Sequence, residues 1–152
     1  DRALSTPEPP REVFKNQPIE AGVVLLPLFE FTRINPTFPL ILIAPPETKS
    51  SSESSPPATL ISLSSYVLTH ASSTSSPRAI GYANLCLNIL LCLVQNNGVL
   101  IAFSQPSDEK IRLCRQRPPV LPVPGPKRPP LCAILDCCVL WLRHNLHKRL
   151  EV

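Results

Sequence analysis

Six cysteines and three histidines are the side chains of this 152-residue sequence best equipped for chemistry. Cys137, Cys138, His144 and His147 lie close together. On a helix His144 and His147 share a face, with Cys137 seven residues before His144. Ligands from one helix cannot surround a tetrahedral ion, and no CxxC pair completes the set, so no metal site is expected. Neighbouring residues on a helix point about 100° apart, which keeps Cys137 and Cys138 from pairing with each other. Most of the cysteines sit among Leu, Ile, Val and Ala, as Cys86 and Cys137 do. They read as reduced, small apolar core residues, the state of a reducing compartment. A metal- or disulfide-stapled small domain is the alternative, distinguishable by counting free thiols.

Nucleophilic catalysis finds less support. Ser107-Asp108-Glu109-Lys110 matches the SxxK spacing of serine acyl-enzymes, but the companion SDN and KTG motifs are missing. A helix cap explains that serine better. The three histidines fall near helix ends or the serine tract, without a nucleophile elbow. With four glycines in the chain there is no GxGxxG or Walker loop, and HExxH and GxSxG are missing too. No enzyme activity, no cofactor and no small-molecule substrate are expected.

Two recognition-like features remain. Residues 118–130, PPVLPVPGPKRPP, must be extended, largely as polyproline II. Pro119–Pro122 and Pro126–Pro129 satisfy PxxP, yet the offsets that should carry a basic residue hold Gln116 and Leu131. A rigid connector is the better reading, and a polyproline II ligand for an adaptor is the other. The second feature is charge. The net charge is +4, and Arg112, Arg115, Arg117, Lys127 and Arg128 form one basic stretch, Arg143, Lys148 and Arg149 another. Such stretches suit acidic protein surfaces or the anionic headgroups of a membrane, or are simply solvated. Nucleic acid is not expected, because aromatics are 5% of the chain and none interleaves with the arginines.

The elements that carry these residues follow from composition and periodicity. Apolar residues are 43% of the chain and charged ones 17%, enough apolar surface for a core. Twenty prolines exclude a coiled coil or a long unbroken helix, since each internal proline costs a helix about 3 kcal/mol. Residues 1–18 read as an irregular N-terminal segment, and 19–44 as an apolar helical block. Within that block a helix is predicted over about 19–34 with a kink or break at Pro27, and 40–44 reads as a buried strand nearly as well as helix. Residues 45–57 are a Ser/Pro-rich insert with no apolar side chain to offset its ordering entropy, hence disordered. Residues 58–152 form a helical segment: an amphipathic helix over 58–71 on Leu60, Leu63, Val67, Leu68 and Ala71, then a helix from Ser76-Pro77 to Gln95 stopped at Asn97-Gly98. The latter is apolar nearly all round, so it should be buried on most sides. Its strictly apolar stretch is about ten residues, short of the 20 a membrane span needs. A short helix over 108–116, the connector 118–130 and a helix over 130–149 with the stripe Leu131, Ile134, Leu135, Cys138, Leu142 and Leu146 complete the chain.

Helices that are apolar on one side or all round, joined by proline connectors, must stack on one another. The expected class is all-α, a fragment of an α-solenoid with irregular Pro/Ser-rich segments; a compact helical bundle is the competitor. The sequence has no methionine and opens Asp1-Arg2-Ala3, which reads as a piece of a longer protein. A cut solenoid is expected to be marginally stable and sticky.

Three stretches resemble the armadillo-like helical domain-containing protein family: Ile111-Arg112-Leu113-Cys114-Arg115-Gln116-Arg117-Pro118-Pro119, Ile134-Leu135-Asp136 and Arg143 to Val152. Ala83 to Leu91, ANLCLNILL, is similar to the helix before them. The resemblance implies a helical-repeat scaffold acting through protein–protein interaction in Golgi organisation and secretion. It implies a cytoplasmic location, peripheral at Golgi membranes, and a phosphatidylinositol 4-kinase among the protein partners. It supplies no catalytic residues. The partner-binding patch it favours is Arg112, Arg115 and Arg117, where the resemblance and the basic stretch coincide.

Overall fold

The computed structural model describes residues 20–44, 54–71, 77–114 and 125–146. Among them the regular structure is entirely helical: a 3₁₀ turn Glu20–Val24, then α1 (Leu25–Ile34), α2 (Phe38–Ile43), α3 (Pro56–His70), α4 (Pro77–Gln95), α5 (Asn97–Ser104) and α6 (Pro130–Leu146). The all-α class holds for these residues. α1 packs on α4, α4 on α3 and α5, and α3 on α6, while α2 bridges α3 and α5.

Prolines place the helix starts. Pro56, Pro77 and Pro130 each stand first in a helix, where the missing N–H would be unbonded in any residue. Pro27 is third in α1, still among the positions without an intrahelical acceptor, so the expected break appears as a change from 3₁₀ to α at Leu25. The short run after Pro36 is helix rather than strand. Pro39 sits at the start of α2, and the amides of Leu40 and Ile41 bond back to Thr37. The expected disordered insert ends sooner than its composition suggests, because Pro56 and Pro57 open α3. Ser55 caps that helix, its Oγ accepting from the Ala58 amide at 3.3 Å. Glu109, far along the chain, grips Ser55 with both oxygens: the Ser55 amide and hydroxyl each donate at 2.7 Å. A carboxylate at a helix N-terminus also suits the dipole. Residues 45–53 and 1–18 lie outside the described residues, as does Ser76.

Asn97-Gly98 does not simply stop α4. Asn96 turns the chain into a new helix, α5, its Oδ1 accepting from Gly98 and Val99 while its Nδ2 donates to the Pro36 carbonyl at 3.0 Å. Gly98 lies so near α2 that a Cβ would stand 2.6 Å from Leu40 Cδ2. The stop signal was correct, and the N-cap potential of Asn96 is what the sequence reading passed over.

Three expectations are overturned. Residues 106–114 contain no helix. Ser107 caps no helix: its Oγ closes a local turn by accepting from the Glu109 amide at 3.1 Å, and the segment's next polar groups bond across to α3 and its N-cap. The stripe expected on α6 is also rotated. Ala133, Ile134, Cys137 and Leu140 are buried, whereas Leu135 and Leu142 face outward. At the described end of the proline connector, 125–130 is not continuous polyproline II. Pro126 and Lys127 form a turn with Lys127 at φ 56°, the proline-then-left-handed order of a type II turn. The rest of the connector lies outside the described residues.

The most enclosed helix is α3, not α4. On α4 the buried set Ala79, Ala83, Cys86, Leu90 and Leu93, joined by Ile89, is one stripe at spacings of 4, 3, 4 and 3. On α3 Leu60, Ile61, Val67 and Leu68 are buried together with Ser64, Ser65, Thr69 and His70. With 19 residues at a mean hydropathy of 1.4, α4 is long and apolar enough to cross a membrane, because the average outweighs Asn84 and Asn88. In the fold its buried stripe joins the core shared with α1, α3 and α5.

Candidate functional site

The chemistry-bearing residues converge on the polar strip of α3. Ser64, Ser65, Thr69 and His70 fall within two turns of α3, and the small side chains of the two serines let neighbouring helices approach. Thr69 disposes of its hydroxyl within the helix, donating to the Ser65 carbonyl at 2.7 Å. Ser65 Oγ accepts from the Cys114 amide at 2.7 Å, pinning the end of the 106–114 segment to the helix. Next to that pin, Cys114 Sγ lies 3.7 Å from His70 Nε2. The His70 ring packs against Tyr66 with centroids 4.4 Å apart. Burial pushes the Tyr66 hydroxyl above its ordinary pKa, and a charge on Cys114 adds to the shift.

Two other thiols face the same strip from adjacent helices. Burial pushes Cys86 on α4 up to about 11, against a smaller opposing effect from Ser64. Cys137 on α6 is pushed up to about 12, by burial first and then by the charges of Cys138 and Asp136, with Ser65 opposing. Cys138 is raised by burial as well. All six cysteines are free thiols. Among the described residues no group of three His, Cys, Asp or Glu side chains gathers as a metal site would require. Cys137 and Cys138 lie on the helix where they were expected, but the side chain of His144 and all of His147 lie outside the described residues.

Ser64 Oγ is fully enclosed, with the weakly polar Cys86 thiol beside it. Ser65→Ala, one residue on, should lower stability by about 1 kcal/mol, since it strands the Cys114 amide. Ser64→Ala, which removes only a contact to a thiol, should stay within about 0.5 kcal/mol of wild type. Urea midpoints should separate the two variants, that of Ser65→Ala alone falling.

The arginine patch is only partly placed. Arg112 is exposed on the irregular segment before Cys114, and Arg115 and Arg117 lie outside the described residues. Arg128 is not available as part of a free basic stretch, because its guanidinium pairs with Asp136 on α6. That contact is the main reason its pKa is raised. A cleft of about 580 Å³ opens between residues 107–113 and 125–133, its rim carrying Asp108, Glu109, Lys110, Lys127 and Arg128. Within the SxxK stretch Glu109 accepts from the Ser55 amide and hydroxyl, and Ser107 Oγ accepts from the Glu109 amide.

A third feature was not anticipated by position. Val23, Val24, Leu26, Phe31, Ile34, Leu40 and Ile41 all turn outward from the 3₁₀ turn, α1 and α2. Phe31 and Ile34 remain 59% and 67% exposed, and Phe31 stacks on Phe38 at 5.6 Å, joining the two helices into one ridge. Periodicity shows that a helix is apolar on several sides, but which side a neighbour covers depends on the whole fold. Likewise His70 and Cys114 are 44 positions apart, and no local motif links them.

Comparisons with known protein families, curated proteins and solved structures return no match.

Proposed function

We propose that this chain is a non-catalytic helical scaffold segment that works by protein–protein interaction, with the ridge of the 3₁₀ turn, α1 and α2 as its docking face. The observation that carries the reading is the exposure of Val23, Val24, Leu26, Phe31, Ile34 and Ile41 on three successive elements, with Phe31 and Phe38 in contact between α1 and α2. Leaving that much apolar side chain in water is unfavourable by about 25 cal/mol per Å², which an incoming apolar helix would recover. The partner of matching chemistry is a protein helix with an apolar face laid against the ridge. By the family resemblance its setting is the cytoplasmic side of Golgi membranes, in secretion, with a phosphatidylinositol 4-kinase among the partners. Arg112, Arg115 and Arg117 would then supply contacts to acidic protein or anionic lipid.

An armadillo-like solenoid is the finer form of this proposal and rests on the resemblance. The packing of α1 on α4 and of α3 on α6 favours a second architecture, a closed bundle, because a solenoid pairs mainly successive helices.

The docking face is tested on the chain itself with the triple variant Phe31→Ser, Ile34→Ser, Ile41→Ser. Wild type should bind the dye bis-ANS in its native state and self-associate as concentration rises. The variant should lose most of that fluorescence and stay monomeric with unchanged far-UV circular dichroism. A wild type that is monomeric and dark to the dye at high concentration removes the basis for the proposal.

A further inference from the structure

Cys114 differs from the other thiols in its surroundings. It is half-buried and lies outside any helix, at the end of a segment held to α3 at two points, Glu109 on Ser55 and the Cys114 amide on Ser65. Its sulfur faces Nε2 of a histidine that is 5% exposed and is the last residue of α3. A helix C-terminus favours a cation, and packing against Tyr66 restrains the ring. Arg112 is exposed two residues away in the chain. A histidine within reach of a thiol, with an arginine close in sequence, is the arrangement in which cysteine becomes a nucleophile. Cys86 and Cys137, by contrast, are enclosed among apolar side chains.

We infer that Cys114 is a modification site, served by His70, that takes up small anionic disulfides of the glutathione type as a mixed disulfide. The Cys114 S–H gives its proton to His70 Nε2. The sulfur then attacks one sulfur of the disulfide in line with the S–S bond. A new S–S bond forms to Cys114 as the old one breaks, and the departing thiolate takes the proton from the imidazolium. Cys114 is oxidised and the small disulfide is reduced to one thiol, so no other oxidant is consumed. The exposed Arg112 favours the carboxylates of such a disulfide over a neutral or cationic reagent. An adduct on Sγ occupies the space between the segment and His70, and therefore strains the pin on Ser65.

The test uses the full chain and maps all six thiols by mass spectrometry after timed exposure to glutathione disulfide, and in parallel to the cationic disulfide cystamine. Cys114 should acquire the adduct first, at least about tenfold faster than Cys86 and Cys137, and faster than the same residue in the urea-unfolded chain. Glutathione disulfide should outpace cystamine at this site and lose that lead in Arg112→Gln. His70→Asn should slow Cys114 by about tenfold while leaving Cys92 and Cys132 unchanged, and those two report that the fold is intact. If His70→Asn raises all six rates together the variant has unfolded, and the wild-type comparison of native with urea-unfolded chain decides alone. A native Cys114 slower than its unfolded counterpart, or unaffected by His70→Asn in a folded protein, overturns the inference.

Discussion

Raising the pH from about 7.5 to about 10.5 should cost the protein on the order of 4 kcal/mol of folding stability through two thiols, Cys86 and Cys137. Each has an ordinary value of 9.0, pushed in the fold to about 11 and about 12. In the unfolded chain both ionise as the pH passes about 9, whereas in the folded chain burial keeps them protonated. Across that window the unfolded state binds fewer protons, so stability falls with pH. It is fully present below about pH 9 and lost as the pH rises through the folded values. Tyr66, raised as well, acts in the same direction. A typical domain has about 5–15 kcal/mol in all, so the alkaline limb should bring this one close to unfolding. The check is the urea midpoint at the two pH values for wild type and for Cys86→Ala, Cys137→Ala. The double variant loses some packing at neutral pH, but the difference between its two midpoints should shrink by more than half. An unchanged difference would show that these thiols are not the groups responsible.

Leu90→Ala should destabilise the fold by about 2–5 kcal/mol, while Leu91→Ala should stay within about 0.5 kcal/mol of wild type. The two side chains are adjacent and chemically identical. Leu90 is 1% exposed and belongs to the stripe that runs through Ala83, Cys86 and Leu93. Leu91, about 100° round the helix, is 51% exposed. Truncating Leu90 removes its transfer free energy and leaves a cavity that close packing on several sides prevents from collapsing. Truncating Leu91 removes surface that water already reaches. Thermal unfolding should separate the variants widely, Leu90→Ala by many degrees. Equal shifts would mean that α4 is covered on both faces in solution.

That contrast marks the boundary of what can be read along the chain. The helix starts at Pro77 and Pro130 were legible because proline suits the first helical position, and Gln95 ends α4 just before Asn96, whereas Pro56 reads from composition as part of the insert. The all-α class and the grouping of Cys86 and Cys137 with the apolar residues follow from composition and spacing in the same local way. The orientation of each helix about its own axis was not legible where apolar residues surround it. On α6 the pattern favoured Leu135 and Leu142, and the fold buried Ala133 and Cys137 instead, since small residues let α3 and α5 come close.

Polar residues were misjudged for a related reason. Ser64, Ser65, Thr69 and His70 carry low hydropathy, so periodicity assigns them to water, yet they form the buried seam of α3. Residues 106–114 have the caps of a helix and do not form one, because Ser55 and Ser65 offer their polar groups partners from far along the chain. Sequence by itself determined the all-α class and the approximate spans of α3, α4 and α6, since capping, proline geometry and apolar spacing act over a few neighbouring residues. Only the tertiary structure decided which faces meet, and with them the approach of Cys114 to His70, since contact between residues 44 positions apart depends on how every helix between them packs.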